Sequence, residues 1–264
     1  MKPEVFLLEH RLFTREEFAA VLRGRGRAES TIDSHLARWT RQGRIVRVKR
    51  GVFVRADGAG GKHEAAPDYV ALASRMAPDA AVAYHTALEA HGFAQSIFER
   101  LTFVTWTKTK PTSFAGRRFV PVRPRARLMS AGRGEGWIEQ GERGGLGLRL
   151  TTLERTVADV LDRTDLSGGV EEVWRSLASI PAIDPGPLEE YVVSIGSGTL
   201  AAKIGFFLES RREELVVPAR LLDRLRAMLP GAPVHMERRR GGRLVARWAL
   251  IVPAGLVEEQ EPRA

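Results

Sequence analysis

The order of local signals in the first 55 residues constrains the fold more than any other feature of the chain. Thr14 and Glu17 form a T-x-x-E capping box, and apolar residues at helical spacing follow it, so we predict a helix over residues 15–23. After a turn rich in arginine and glycine, Ser30 is placed to cap a second helix that runs to about Gln42.

A β-hairpin is predicted directly after the second helix. Apolar residues on both sides of Lys49-Arg50-Gly51 indicate two short strands, and the glycine supplies the positive φ that a tight turn needs. Helix, turn, helix and hairpin together predict a winged helix-turn-helix domain over residues 1–55.

Positive charge is concentrated in two segments. The net charge is +9, yet residues 1–55 hold 13 Lys or Arg against 6 Asp or Glu, and residues 107–134 hold 8 against none. Clustered cations are the electrostatic footprint of a polyanion binder, because neutralised phosphates release their condensed counterions. A general preference for arginine would explain the number of arginines but not their segregation from the acids.

The second helix has an apolar face and a polar face. Ile32, Leu36 and Trp39 fall at i, i+4 and i+7, so they are predicted to pack inward. The opposite stripe lacks carboxylates and consists of Thr31, Ser34, His35, Arg38, Arg41 and Gln42. Such side chains suit base edges and phosphates in a DNA major groove, so we predict a DNA-reading face; the alternative is an ordinary solvated helix face.

The hairpin adds three more cations to the predicted DNA contacts. Arg47, Lys49 and Arg50 lie in or next to its turn. A two-residue loop reaches only the DNA backbone, so these side chains are predicted to contact phosphate rather than bases.

A second domain is predicted after the small linker at residues 56–61. It covers residues 62–257 and has mixed α and β signals with a long helical stretch, so the chain is assigned to the α+β class. Helices are predicted over 68–76, 84–92, 152–162, 169–179, 187–195, 198–210 and 218–229, and strands over 101–106, around 119–122, and over 146–150, 234–239 and 244–251.

Five segments in the same order resemble a known family. Residues 36–53 end on an R-G-V-aromatic hairpin, and residues 84–93 read YHTALEAHGF. Residues 152–159 read TLERTVAD, and residues 167–173 and 196–209 lie in the predicted helical part. Together these segments resemble AbiEi-type antitoxins over about residues 14–252.

The resemblance implies two functions. Members of this family are transcriptional autorepressors that bind inverted repeats of double-stranded DNA in their own promoters, as monomers in solution that cooperate on DNA. They are also type IV antitoxins, which counter a nucleotidyltransferase toxin encoded beside them without a stable complex. Basic residues of their C-terminal domain help to bind and bend DNA, which predicts secondary nucleic-acid contacts at Arg117, Arg118, Arg123, Arg125 and Arg127.

The sequence indicates no enzymatic site. The chain has no cysteine, and its six histidines show no metal-ligand spacing, so we expect neither a metal nor a cofactor and predict that the protein is not an enzyme. His85 and His91 are predicted to be helix-terminal residues with satisfied hydrogen bonds. Arg155 and Asp159 are predicted to form an internal salt bridge, with an antitoxic contact surface as the alternative. Adjacent glutamates such as Glu171 and Glu172 are predicted to form solvated helix faces.

Two alternatives remain beside the repressor and antitoxin. A stand-alone regulator would bind DNA without a toxin gene nearby. A nuclease or nucleotide-transferring enzyme targeted by its N-terminal domain would need a carboxylate cluster, which we do not find in the sequence. Acidic residues in the opening segment argue against a signal peptide, and no apolar run is long enough to cross a bilayer, so we expect a cytoplasmic protein with no membrane contact.

Overall fold

The N-terminal unit combines three helices with a three-stranded antiparallel sheet. Its elements in chain order are α1 (Pro3–Glu9), β1 (Leu12–Thr14), α2 (Arg15–Arg23), α3 (Glu29–Arg41), β2 (Ile45–Lys49) and β3 (Val52–Arg55), and the sheet order is β1-β3-β2. The two predicted helices and the hairpin are confirmed. The sequence pattern did not predict α1 and β1.

The computed structural model describes residues 2–24, 26, 29–56, 66–132, 134–237 and 241–258. Most of the predicted linker over residues 56–61 therefore lies outside the described residues, as does part of the strand predicted over 234–239. Arg25 and Arg27 of the arginine- and glycine-rich segment between α2 and α3 also lie outside them.

Local interactions explain why these elements begin and end where they do. The capping box is formed, because Thr14 Oγ1 accepts from the Glu17 amide at 3.1 Å and Glu17 Oε2 accepts from the Thr14 amide at 2.5 Å. Gly51 has a φ of 80°, as the hairpin turn requires. Phe18 and Trp39 then pack with ring centroids 5.1 Å apart, which joins α2 to α3 in an aromatic core.

The larger C-terminal unit is built on one mixed sheet. Its strands are β4 (Ala81–Val82), β5 (Arg100–Val104), β6 (Thr112–Phe114), β7 (Arg117–Val122), β8 (Ile138–Arg143) and β9 (Leu146–Thr151). The order is β6-β7-β5-β4-β9-β8. The pairs β5/β7 and β4/β9 are parallel and the others antiparallel.

The rest of the C-terminal unit consists of helices and a second, smaller sheet. They are α4 (Tyr69–Ala73), α5 (His85–His91), α6 (Ala126–Ser130), α7 (Leu153–Asp162), α8 (Val170–Ala178), α9 (Pro185–Ile195), α10 (Gly198–Ser210), α11 (Ala219–Ala227) and α12 (Ala254–Glu258). Strands β10 (Val234–His235), β11 (Arg243–Val245) and β12 (Leu250–Val252) form the second sheet. The chain is thus mixed α and β, in agreement with the predicted α+β class.

The two units share a buried apolar cluster. Phe53 of β3 faces the N-terminal core, whereas its neighbours Val52 and Val54 pack in one cluster with Val70 of α4 and Leu148 of β9. Because successive side chains of a strand point to opposite faces, both faces of the N-terminal sheet are covered. The N-terminal unit therefore rests directly on the C-terminal sheet and α4.

Across the part of the chain that the structure describes, no helix combines the length and the apolar character needed to span a membrane.

Candidate nucleic-acid interface

A cleft of about 1520 Å³ opens between the two units. The N-terminal unit lines it with residues of α3 and the hairpin, among them Asp33, Ala37, Thr40, Arg41, Arg47 and Arg50. The C-terminal unit contributes residues 74–78, 107–109, Gln140 and 147–149, which include the cations Arg75, Lys108 and Arg149. Cations from both units therefore face one shared space.

The six predicted DNA-reading residues differ in their exposure and in their hydrogen-bond partners. Ser34, Arg38, Arg41 and Gln42 are exposed, whereas Thr31 and His35 are half-buried. Ser34 Oγ donates to the Ser30 carbonyl oxygen at 2.7 Å. Arg38 Nη2 lies 3.4 Å from Glu4 Oε1 and 3.0 Å from His35 Nδ1.

Arg41 stands apart from the other five. It lines the cleft, and among the described residues its guanidinium has no hydrogen-bond or ion-pair partner. A free guanidinium on an exposed helix face is the group best suited to bond a guanine edge or a phosphate.

Two carboxylates outside the predicted reading stripe lie on its flank. Arg15 Nε donates to Asp33 Oδ1 at 2.8 Å, and Arg15 Nη2 donates to Glu29 Oε2 at 2.9 Å. Arg23 forms a second ion pair with Glu29 at 2.6 Å. The hydrogen bond from Arg15 lowers the pKa of Asp33 below its usual range, so this carboxylate is charged but already neutralised by a cation of α2.

The three hairpin cations also divide. All three line the cleft, but Arg47 and Arg50 are exposed whereas Lys49 is half-buried. Lys49 Nζ donates to the Met76 carbonyl oxygen at 2.6 Å, and burial lowers its pKa. Lys49 thus already has a partner in the C-terminal unit. Arg47 Nε donates to the Lys49 carbonyl oxygen at 3.4 Å, and Arg50 has no partner among the described residues.

The second set of predicted contacts is dispersed. Arg117 packs over the Tyr69 ring and donates to the Phe98 carbonyl oxygen at 3.2 Å. Three others also have internal neighbours, because Arg123 donates to the Trp106 carbonyl oxygen, Arg125 pairs with Asp162, and Arg127 packs against Gly196. Arg118 is exposed without a partner among the described residues. These five arginines do not line the cleft; Lys108 of the same basic segment does.

Sequence reasoning missed Arg149 as a cleft residue. It lies in a segment that is acidic overall, so the charge of the segment gave no signal, and only the packing of β9 beside the N-terminal unit brings it to the cleft. Its Nη2 lies 3.4 Å from Glu135, an exposed carboxylate, so this ion pair is weak and screened.

The predicted internal salt bridge between Arg155 and Asp159 is confirmed. Arg155 Nε lies 3.2 Å from Asp159 Oδ2, and the Tyr191 hydroxyl donates to Asp159 Oδ1 at 2.5 Å. Arg155 Nη1 also donates to the Gly136 carbonyl oxygen at 3.1 Å, which ties the segment before β8 to α7. These groups are buried, so they hold the C-terminal unit together rather than forming a surface.

The two candidate histidines are bonded inside the fold. His85 Nε2 lies 3.2 Å from Glu172 Oε1, and His91 Nε2 lies 2.9 Å from the Thr151 carbonyl oxygen, which confirms the prediction of satisfied hydrogen bonds. The prediction of a solvated face at Glu171 and Glu172 is wrong for Glu172. That carboxylate is buried and also accepts from the Ser96 amide and hydroxyl.

Metal-binding geometry is absent from the residues that the structure describes, where no three His, Asp or Glu side chains converge.

The N-terminal unit can be compared with known families. Residues 3–56 match the family model of AbiEi antitoxins. That family is described as transcriptional regulators, and the match covers the three helices and the three strands of the unit. The resemblance drawn from the sequence is therefore confirmed for the N-terminal unit.

A solved structure has a similar fold over most of the chain. The crystal structure of the RV2827C protein from Mycobacterium tuberculosis superposes with a TM-score of 0.57 and 16% sequence identity, covering 92% of this chain and 87% of that chain. At this identity the similarity concerns the fold alone. No curated protein matches the chain.

Proposed function

We propose that the protein is a DNA-binding transcriptional autorepressor and an antitoxin that counters a nucleotidyltransferase toxin. In this proposal the N-terminal unit is a winged helix-turn-helix, α3 is the reading helix, and β2 and β3 form the wing. The order of helices and strands and the family match over residues 3–56 support this assignment.

One observation carries the DNA-binding part. The side of α3 that carries Ala37, Thr40 and Arg41 borders a cleft into which both units bring cations, and Arg41, Arg50 and Lys108 have no partners among the described residues. A helix in a major groove is flanked by two phosphate backbones, so free cations beside the helix would bind phosphate while the helix reads bases. We infer that Lys108 and Arg149 are backbone contacts from the C-terminal unit.

The DNA-binding part is tested with the purified protein and the duplex that lies upstream of its own gene. We expect a gel-shift titration to give tighter binding to that duplex than to a scrambled duplex of equal length, with affinity falling steeply as salt rises. Equal affinity for both duplexes at all salt concentrations would contradict a repressor function.

The antitoxin part rests on the family match and on the resemblance of the later segments to the same family. We propose that the C-terminal unit carries this activity without catalysis and without a stable complex with the toxin, in the cytoplasm. The test is growth rescue when the chain is co-expressed with a nucleotidyltransferase encoded beside it. A chain with no such neighbour that still represses its promoter would instead be a stand-alone regulator.

A further inference from the structure

One side chain joins three elements at the boundary between the units. Arg75, just after α4, has 14% of its side chain exposed. Its Nη1 donates to the Gly147 carbonyl oxygen of β9 at 3.0 Å and to the Ala71 carbonyl oxygen of α4 at 3.2 Å. Its Nε lies 3.3 Å from Glu17 Oε1 of α2. A single guanidinium therefore touches the C-terminal sheet, α4 and the N-terminal unit.

Glu17 extends this connection to the helix that borders the cleft. Its other carboxylate oxygen accepts from the Thr14 amide and so caps α2. The first residue of α2, Arg15, forms two hydrogen bonds to Asp33 of α3 at 2.8 and 3.0 Å. These hydrogen bonds, joined by the peptide bond between Thr14 and Arg15, connect β9 through Arg75 and Glu17 to α3.

The other end of this connection lies next to the cations of the C-terminal unit. Gly147, which accepts from Arg75, is two residues before Arg149 on β9, and both line the cleft. Arg75 therefore connects the strand that carries Arg149 to the helix that is bonded to α3. Lys49, bonded to the Met76 carbonyl oxygen, ties the hairpin to the segment that follows Arg75.

We propose that Arg75 is a positioning residue, which through Glu17 holds α3 at the spacing from Lys108 and Arg149 that lets all three engage one DNA duplex. This inference rests on the proposed DNA-binding function. Arg75 acts here through its partner, because four of its hydrogen bonds go to protein groups of both units.

The substitution Glu17→Gln separates positioning from simple electrostatics. Glutamine keeps an acceptor oxygen at the third helical position, so the capping box and the fold are retained, while the ion pair with Arg75 is removed. Glu16→Gln is the matched control, because Glu16 is exposed, lines the same cleft and has no partner among the described residues. Both variants remove one negative charge beside the cleft, which by charge alone tightens DNA binding.

The expected results for DNA binding have opposite signs. Glu16→Gln binds the promoter duplex as tightly as the wild type or more tightly, whereas Glu17→Gln binds about threefold more weakly, the size expected for a partly exposed ion pair. In the wild type, the double substitution Lys108→Gln and Arg149→Gln makes the slope of log K against log salt shallower by about 0.9 for each phosphate that is no longer neutralised. In the Glu17→Gln background the same double substitution changes this slope less. Tighter binding by Glu17→Gln, or an equal slope change in both backgrounds, overturns the proposal.

A measurement without DNA distinguishes this proposal from the proposed function. The chain has no cysteine, so spin labels at Ser34→Cys on α3 and Glu142→Cys on β8 report the distance between the units. We expect one narrow distance distribution in the wild type and in Glu16→Gln, and a broader one in Glu17→Gln. Identical distributions in all three proteins overturn the positioning role, even if the wild type binds its promoter.

Discussion

His85 Nε2 lies 3.2 Å from Glu172 Oε1, although the two residues are 87 positions apart. The imidazole also stacks on Phe98 with a centroid distance of 4.0 Å, and the carboxylate accepts from Ser96 of the same loop. This buried pair therefore fastens the loop after α5 to α8.

The His85–Glu172 pair predicts that stability falls on mild acidification. Burial lowers the pKa of His85 from 6.5, and its hydrogen bond to Glu172 only partly offsets this. The unfolded state therefore takes up the proton at a higher pH than the folded state. The stability that neutral His85 contributes is fully present above pH 6.5 and is lost as the pH falls through the lowered pKa of the folded state. For Glu172, burial raises the pKa but the Ser96 and His85 bonds outweigh it, so its pKa is lowered and it adds a further loss at lower pH.

Urea unfolding between about pH 7.5 and about pH 5.5 measures this effect. His85→Gln should lower the free energy of unfolding at the upper pH, because the bond to Glu172 is weakened, and should also lose less stability than the wild type on acidification. His235→Gln, at an exposed position, is the control and should keep the wild-type pH dependence. An equal loss in His85→Gln and the wild type would contradict the assignment.

Arg41 and Arg38 should differ as DNA contacts, although both belong to the predicted reading stripe. Arg41 has no partner among the described residues, whereas Arg38 already bonds Glu4 and His35. Arg41→Ala should weaken binding to the promoter duplex by about 1–3 kcal/mol, the cost of removing one good hydrogen-bonding group from a guanine edge. Arg38→Ala should cost less. Gel-shift titrations of both variants decide this, and a larger loss for Arg38→Ala would reverse the assignment.

Much of the fold could be predicted because its signals are local. The capping box at Thr14 and Glu17 marks the start of α2, and Gly51 marks the hairpin turn. The contact between the units was harder to predict. The periodicity of apolar residues shows that a strand is buried, but it does not show which element packs against that strand. The apolar run Val52-Phe53-Val54 is the available signal, because a strand buried on both faces lacks polar alternation.

The site was only partly predictable, because basic residues that are close in the sequence need not be close in the folded structure. The basic residues over 107–134 are close together in the sequence, yet neighbours such as Arg117 and Arg118 lie on opposite faces of β7. Arg149 reaches the cleft from an acidic segment. The partner of His85 could not be found from spacing, because the connection is made only when α8 packs beside α5.

Gly205 is predicted to be essential for the packing of α10. A Cβ at this position would lie 2.0 Å from Cζ3 of Trp248, a fully buried side chain. Trp248 Nε1 also donates to Glu209 Oε2 at 2.7 Å, which holds the indole in place, so Gly205→Ala should lower the free energy of unfolding by about 1–3 kcal/mol or more. Gly255→Ala is the control, because nothing lies within 4 Å of a Cβ there. Urea unfolding with equal midpoints for the two variants would contradict this packing.

The last prediction concerns the separation of the two proposed activities. A fragment over residues 62–264, with the predicted C-terminal domain alone, should retain antitoxicity and lose repression. In the full chain, Val70 and Leu148 pack with Val52 and Val54 of the N-terminal unit. Because removing that unit exposes Val70 and Leu148 to water, the fragment should be less stable than the full chain. The fragment alone therefore does not separate a loss of activity from a loss of folding.

Ser34→Asp in the full chain avoids this difficulty. Ser34 is exposed on α3, so a carboxylate there leaves the contact between the units intact while it repels phosphate and base acceptors. We expect a promoter reporter to be derepressed and growth rescue against the adjacent nucleotidyltransferase to be unchanged, with Ser34→Asn as the neutral control. If Ser34→Asp abolishes rescue together with repression while its unfolding midpoint equals that of the wild type, protection depends on DNA binding, and the assignment of antitoxicity to the C-terminal unit is wrong.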